Sequence, residues 1–201
     1  CDGADNTVYH FQSGGGVASP GNLGLLLNPL DLAVDPGDRS LWVCERDGNR
    51  VTRFASDGSR LGTATLLAPS RVAVDSLTHE AWVTSASRGR VYRLTSTAAL
   101  SDSFAFAAGP VGIAVDGRRG RIWVADPTGD QLTALHRNGT LEFQLPGLGT
   151  PREVAVDVAS GDAWVTLVIP GQVARVSATG TLLTRLGGLN APAGLSLGVG
   201  P

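Results

Sequence analysis

The chain has 201 residues, 42% hydrophobic and 17% charged, which is enough apolar residue for a packed core and excludes general disorder. Its formal net charge is −2 and every basic residue apart from three histidines is arginine, so the broad electrostatic footprint of a nucleic-acid binder is missing. Twenty-seven glycines and eleven prolines without a triplet period exclude collagen and favour an all-β chain rich in turns, and no apolar run is long enough to span a membrane.

In chain order, the first predicted strand lies near Val8–Phe11. Pro29 then opens a unit in which Leu32-Ala33-Val34-Asp35 leads through a turn to Leu41-Trp42-Val43-Cys44-Glu45. Arg50–Phe54 follows the Asp47-Gly48 turn, and Asp57-Gly58 marks the next hairpin, where glycine supplies the positive φ of a tight turn. Pro69 opens a second unit, with Val72–Asp75, a turn through Ser76–His79, Ala81–Thr84, Val91–Leu94 and a weaker strand near Ser103–Ala107. Alternation of large apolar with small or polar residues over four or five positions is the period of a half-buried strand. Pro110 and Pro151 open third and fourth units with Asn138-Gly139 and Thr179-Gly180 turns, and Pro192 precedes one more strand, Gly194–Leu197. Helical periodicity is sustained nowhere.

The units repeat. Asp35, Asp75, Asp116 and Asp157 are spaced by 40, 41 and 41 residues, and Trp42, Trp82, Trp123 and Trp164 keep the same intervals, as do the opening prolines. Four strands recurring every forty or so residues describe a β-propeller blade, with the tryptophan strand second from the channel. The expected sheets begin near Leu30, Ser70, Val111 and Arg152, giving blades at about 29–68, 69–109, 110–150 and 151–191, a partial blade at 1–28 and a strand in 192–201.

Leu41–Glu45 with Asn49–Phe54, and Ile122-Trp123-Val124-Ala125-Asp126, resemble NHL repeats, while Ala81-Trp82-Val83-Thr84-Ser85 is similar to the YVTN and streptogramin-lyase-like propellers. The resemblance covers nearly the whole chain and specifies fold rather than chemistry. It implies that ligands and catalytic groups, where a propeller has them, sit on the face around the channel mouth.

An offset of 43 aligns Val8–Phe11 with Val51–Phe54 and puts Cys1 on Cys44, so the chain is expected to start inside a blade. Methionine is absent, as expected of a processed product or a piece of a longer chain. Two arrangements follow: a closed five-bladed ring with a defective closing blade, or an open fragment of a ring of roughly six blades and about 246 residues. The fragment is preferred, because a cut inside a strand leaves unpaired edges, and isolated material is then expected to be marginal or aggregation-prone. Cys1 also matches the first residue of a processed bacterial lipoprotein, but its alignment with Cys44 inside a strand is the plainer reading and a lipid anchor would need a tether; the localisation expectation is extracytoplasmic (periplasmic, secreted or lipid-anchored). A Cys1–Cys44 disulfide is disfavoured by the distance between equivalent positions of neighbouring blades.

Residues that repeat are assigned to scaffold. Each aspartate ends an inner strand and can accept turn amides, and each tryptophan packs between blades. His10, His79 and His136 have no common blade position or ligand spacing, no Ser/His/Asp set or phosphate loop is visible, and Arg118, Arg119 and Arg121 read as a solvated turn. The repeat breaks its own pattern at two positions of one face. After each opening proline stand Asp31, Arg71, Gly112, Glu153 and Gly194; after each Trp-Val strand stand Glu45, Ser85, Asp126 and Leu167, with Asp2 in the partial blade. Unlike charged residues on a repeating scaffold are the candidates for function, so Asp31, Arg71, Glu153, Glu45 and Asp126 form the expected ligand-binding set. The expected function is a non-enzymatic scaffold for a small polar ligand or a protein, without cofactor and without nucleic acid. The alternative is a lyase or lactonase using a divalent cation at a carboxylate-lined channel mouth.

Overall fold

The computed structural model of the chain describes residues 1–9, 23, 25–106 and 109–197. Sixteen strands form four antiparallel sheets, each a meander with its strands in chain order. The first holds β1 (Pro29–Val34), β2 (Leu41–Glu45), β3 (Arg50–Phe54) and β4 (Arg60–Thr65); the second β5 (Arg71–Asp75), β6 (Glu80–Ser85), β7 (Arg90–Leu94) and β8 (Leu100–Ala105). The third holds β9 (Gly112–Asp116), β10 (Arg121–Asp126), β11 (Gln131–His136) and β12 (Leu141–Pro146); the fourth β13 (Pro151–Val156), β14 (Ala163–Leu167), β15 (Gln172–Val176) and β16 (Leu182–Leu186). These are propeller blades. The only helix among the described residues is one 3-10 turn, Ala86–Arg88, and none is long and apolar enough to cross a membrane.

The chain divides into two compact units, Cys1–Arg88 with Tyr92–Ser103, and Gly89–Val91 with Phe104–Pro201. In the first, Trp42, Cys44 and Val51 pack against Val72, Ala81, Val83 and Leu94, sealing the first blade to the second. In the second, Trp123, Ala125, Leu132 and Ala134 meet Val154, Ala163, Val165 and Leu167 in the same way. Period-2 alternation explains both: alternate residues of each strand point to opposite sides of its sheet, so one side can pack on the neighbouring blade of the same unit.

The repeated residues do scaffold work. Each aspartate accepts a turn amide: Asp35 Oδ1 from Gly37 (2.8 Å), Asp75 Oδ1 from Leu77 (3.0 Å), Asp116 Oδ1 from Arg119 (3.1 Å) and Asp157 Oδ1 from Ala159 (2.9 Å). Each tryptophan lies under a guanidinium, Arg53 on Trp42 at 5.3 Å, Arg93 on Trp82 at 5.9 Å and Arg175 on Trp164 at 5.6 Å, all from the third strand. In the third blade that position is Ala134, and Arg121 of the second strand covers Trp123 instead, at 5.5 Å.

Several expectations change. Arg121 is half-buried, lies on β10 and is bonded to Glu142, so it departs from the solvated-turn reading, while Arg119 is exposed in its turn and there ties Asp116 to the Val158 and Ala159 carbonyls. The last strand of the second blade runs Leu100–Ala105, and Ala107 lies outside the described residues. Val8 is buried against Leu26, Val43 and Phe54, but Val8 and Tyr9 form no strand, and His10 and Phe11 lie outside the described residues. Gly194–Leu197 is irregular, because no strand among the described residues offers it a ladder. Both cysteines are free, Cys1 exposed and Cys44 buried.

Candidate functional site

Antiparallel register brings the two variable positions to the same end of each sheet. Asp31 pairs with Cys44 beside Glu45, Arg71 with Thr84 beside Ser85, and Gly112 with Ala125 beside Asp126. In the first and fourth blades the ladder shifts there, between Pro29 and Asp31 and between Pro151 and Val154, which re-aims Asp31 and Glu153.

The inner-strand position is shaped by the approach of the next inner strand. Asp31 Oδ2 accepts the Val72 amide at 2.8 Å, a tie from β1 to β5. Burial pushes the Asp31 carboxyl above the usual carboxylate range, against the opposing pull of that bond and of Arg71. Gly112 meets the same crowding by omission: a β-carbon there would sit 2.3 Å from the Arg152 carbonyl oxygen and 3.1 Å from Glu153 Cα. Backbone cannot step aside as a side chain can, so Gly112→Ala is expected to destabilise by about 1–3 kcal/mol, read as a lower urea midpoint at unchanged slope. Arg71 is half-buried and donates to the Ser70 carbonyl at 3.1 Å, while Glu153 is half-buried with its amide bonded to Thr166 Oγ1 at 2.9 Å. Burial, and then the Asp31 charge, push the Cys44 thiol well above its ordinary value.

In the first two blades the second-strand position stitches the blade to the segment leading into it. Glu45, fully buried, binds Arg50 twice (2.7 and 2.6 Å), accepts Thr52 Oγ1 at 2.7 Å and takes the Leu27 amide at 2.9 Å. Burial pushes its carboxyl up, but the bonds from Arg50, Thr52 and Leu27 outweigh that and hold it below the usual range. Ser85 donates to the Leu67 carbonyl at 2.8 Å, and Leu167 is core. Asp126 is buried like Glu45, yet only its Oδ1 is engaged, by the Gly129 amide at 2.8 Å. Asp31, Arg71 and Glu45 therefore lie together in the first unit, and Glu153 and Asp126 belong to the second. Partners at the third strand, Arg50 with Thr52 and Gln131 with Thr133, were not singled out in the sequence. Aligning the repeats at Glu45 and Asp126 brings them into register.

One group among the described residues has metal-ligand character, Asp35, Asp38 and His79, with donor atoms within 4.8 Å of one another. Its donors are spent internally: Asp35 on the Gly37 amide and on His79 Nδ1 (2.7 Å), Asp38 on the Ser40 amide and the Arg53 guanidinium.

No protein-family model matches the chain, and no curated protein sequence matches it. Solved structures do. A selenomethionine-substituted virginiamycin B lyase from Staphylococcus aureus superposes with a TM-score of 0.76 at 18% identity, over 92% of this chain and 64% of that one. A streptogramin B lyase superposes at 0.69 with 18% identity, over 83% and 57%. A chain of the nidogen/laminin complex superposes at 0.71 with 18% identity, over 92% and 75%. The chain thus spans less than two thirds of the length of the lyase structures it matches. Its fold is that of the β-propellers, the architecture it shares with the streptogramin B lyases and with the nidogen/laminin structure.

Proposed function

We propose that the chain is a non-enzymatic scaffold that binds a polar ligand or a protein on the blade end of the first unit where Asp31 and Arg71 stand. The observation behind this reading is the Arg71 side chain, half-buried on the inner strand of the second blade beside a carboxylate already tied to the backbone. A guanidinium in that setting has donors suited to a carboxylate or amide oxygen of a ligand. The ladder shift beside Asp31 supports this end of the first blade as the recognition surface. A second reading, a cation-dependent lyase, draws on the fold shared with the streptogramin B lyases. The saturated Glu45 carboxylate speaks against it.

Two measurements separate the readings. The wild-type chain is titrated with Mg2+ and Mn2+ by calorimetry and incubated with quinupristin, the compound held by a catalytically inactive virginiamycin B lyase in one of the similar structures. The scaffold reading expects quinupristin to stay unchanged, and turnover that requires the cation would replace it with the lyase. A peptide array probed with wild type and Arg71→Ala then tests recognition. Binding should weaken in the variant by more than its loss of stability accounts for, with the melting temperature measured alongside. A large loss of stability with unchanged binding would make Arg71 scaffold.

A further inference from the structure

One hairpin tip of the second unit carries a side chain that the fold does not call for. The turn from β11 to β12 runs His136-Arg137-Asn138-Gly139-Thr140, closed by the His136 amide on the Thr140 carbonyl (2.9 Å) and the Gly139 amide on the His136 carbonyl (2.8 Å). The same two bonds close the outer turns of the other blades, at Ala55–Ser59, Thr95–Ala99 and Ser177–Thr181. There the place of Asn138 is held by Asp57, Thr97 and Thr179. Asp57 Oδ1 accepts the Ser59 amide at 2.9 Å, as Asn138 Oδ1 accepts the Thr140 amide at 3.0 Å. In the other two turns the hydroxyls of Thr95 and Ser177 accept the matching amides, at 3.1 and 3.0 Å. A carboxylate or a hydroxyl thus serves this turn, and the turn accounts for the oxygen of Asn138 but not for its amide nitrogen.

The sequence holds one Asn-x-Ser/Thr triplet with x other than proline, and it is Asn138-Gly139-Thr140. Asn138 and Thr140 are both exposed. Thr140 Oγ1 donates to Asn138 Oδ1 at 2.7 Å, while Asn138 Nδ2 donates to no group among the described residues. His136 lies across the hairpin from Thr140, and its side chain is 52% exposed. Cross-strand partners share a face, so the imidazole, Asn138 and Thr140 stand on one side of the tip.

We propose that Asn138 is the acceptor of an N-linked glycan whose first sugar lies on the His136 ring and the Thr140 methyl group. In the transfer, Asn138 Nδ2 forms a bond to the anomeric carbon of an oligosaccharide carried on a lipid pyrophosphate. The bond from that carbon to the pyrophosphate oxygen breaks, the lipid pyrophosphate leaves with the electron pair, and Nδ2 gives one proton to a base of the transferase. A hydroxyl two residues beyond the asparagine and an exposed tip are what such a modification requires. The sugar presents C–H bonds to the imidazole, which the negative face of an aromatic ring attracts. The site lies in the second unit and does not rest on the Arg71 reading.

The whole chain is secreted from a eukaryotic host behind a cleavable signal sequence, and its mass is read before and after peptide-N-glycosidase. That enzyme releases the glycan and leaves aspartate, the residue that the first blade already carries in this turn as Asp57. The glycan is expected at residue 138 by peptide mapping, to be lost in Asn138→Asp and in Thr140→Ala, and kept in Thr140→Ser. Asn138→Asp should fold like wild type, because the turn keeps its acceptor. Cell-retained material is scored alongside secreted material, so a poorly folding variant still reports on the acceptor. The glycosylated chain should melt about 2–4 °C above the enzymatically released one, the shift that one added surface contact makes in a chain of this size. His136→Ala should close that gap with the glycan still attached. Wild-type chain without a glycan at 138, or a glycan that persists in Asn138→Asp, would overturn the acceptor assignment. Equal melting of the glycosylated and released wild type would overturn the packing on His136.

Discussion

Replacing Glu45 by alanine should cost the first unit about 3–5 kcal/mol, the loss that follows when one partner of a buried ion pair is removed. The side chain is wholly shielded, and its two oxygens serve Arg50, Thr52 and the Leu27 amide at once. Alanine would strand a guanidinium, a hydroxyl and a backbone donor, and would release the segment that Arg50 also holds through the Leu25 carbonyl at 3.2 Å. Chemical unfolding followed by tryptophan fluorescence should show a lower midpoint, and a loss below about 1 kcal/mol would contradict the anchoring role. Acid supplies a second check. A carboxyl held below its ordinary value contributes stability that is fully present above the unfolded-state value and fades as pH falls through the folded one. The gap between wild type and Glu45→Gln should therefore narrow on acidification.

Most of the fold was legible because a repeat tests every local inference four times. The aspartates, tryptophans and opening prolines agree in phase, and in the structure each aspartate accepts a turn amide and each tryptophan lies under a guanidinium. The ends were less legible, since the strand at Gly194–Leu197 was inferred from pattern alone and a pattern does not supply a ladder partner. The candidate site was legible only as a pair of positions. Variability at them was attributed to ligand recognition, and at several copies it has an internal cause. Asp31 bonds to the neighbouring inner strand, Gly112 vacates space for the next one, Ser85 holds a connecting carbonyl and Leu167 fills a core. Each blade answers a slightly different packing demand, so differences between copies record those demands as well as function. Asp126 differs from Glu45 in that, among the described residues, its second oxygen has no hydrogen-bond partner.

Trp123→Ala should be the most damaging single change in the second unit, costing about 3–5 kcal/mol, because it empties a fully buried site bounded by two blades. The indole meets Phe143 edge-on, with ring centroids 5.4 Å apart, and lies under Arg121, which also bonds to Glu142. Its Nε1 has no hydrogen-bond partner, so what it contributes is packing and the cation–π contact rather than a polar link. Two comparisons test that division. Trp123→Phe keeps an aromatic face and forfeits no hydrogen bond, so it should recover a large part of the alanine loss. Trp164→Ala removes the equivalent ring of the fourth blade, which is only half-buried, and should cost distinctly less because less apolar area is removed from water in the native state. Urea midpoints for the three variants should rank in that order, with Trp123→Ala lowest; equal losses for Trp123→Ala and Trp164→Ala would mean that burial between blades is not what sets the worth of these tryptophans.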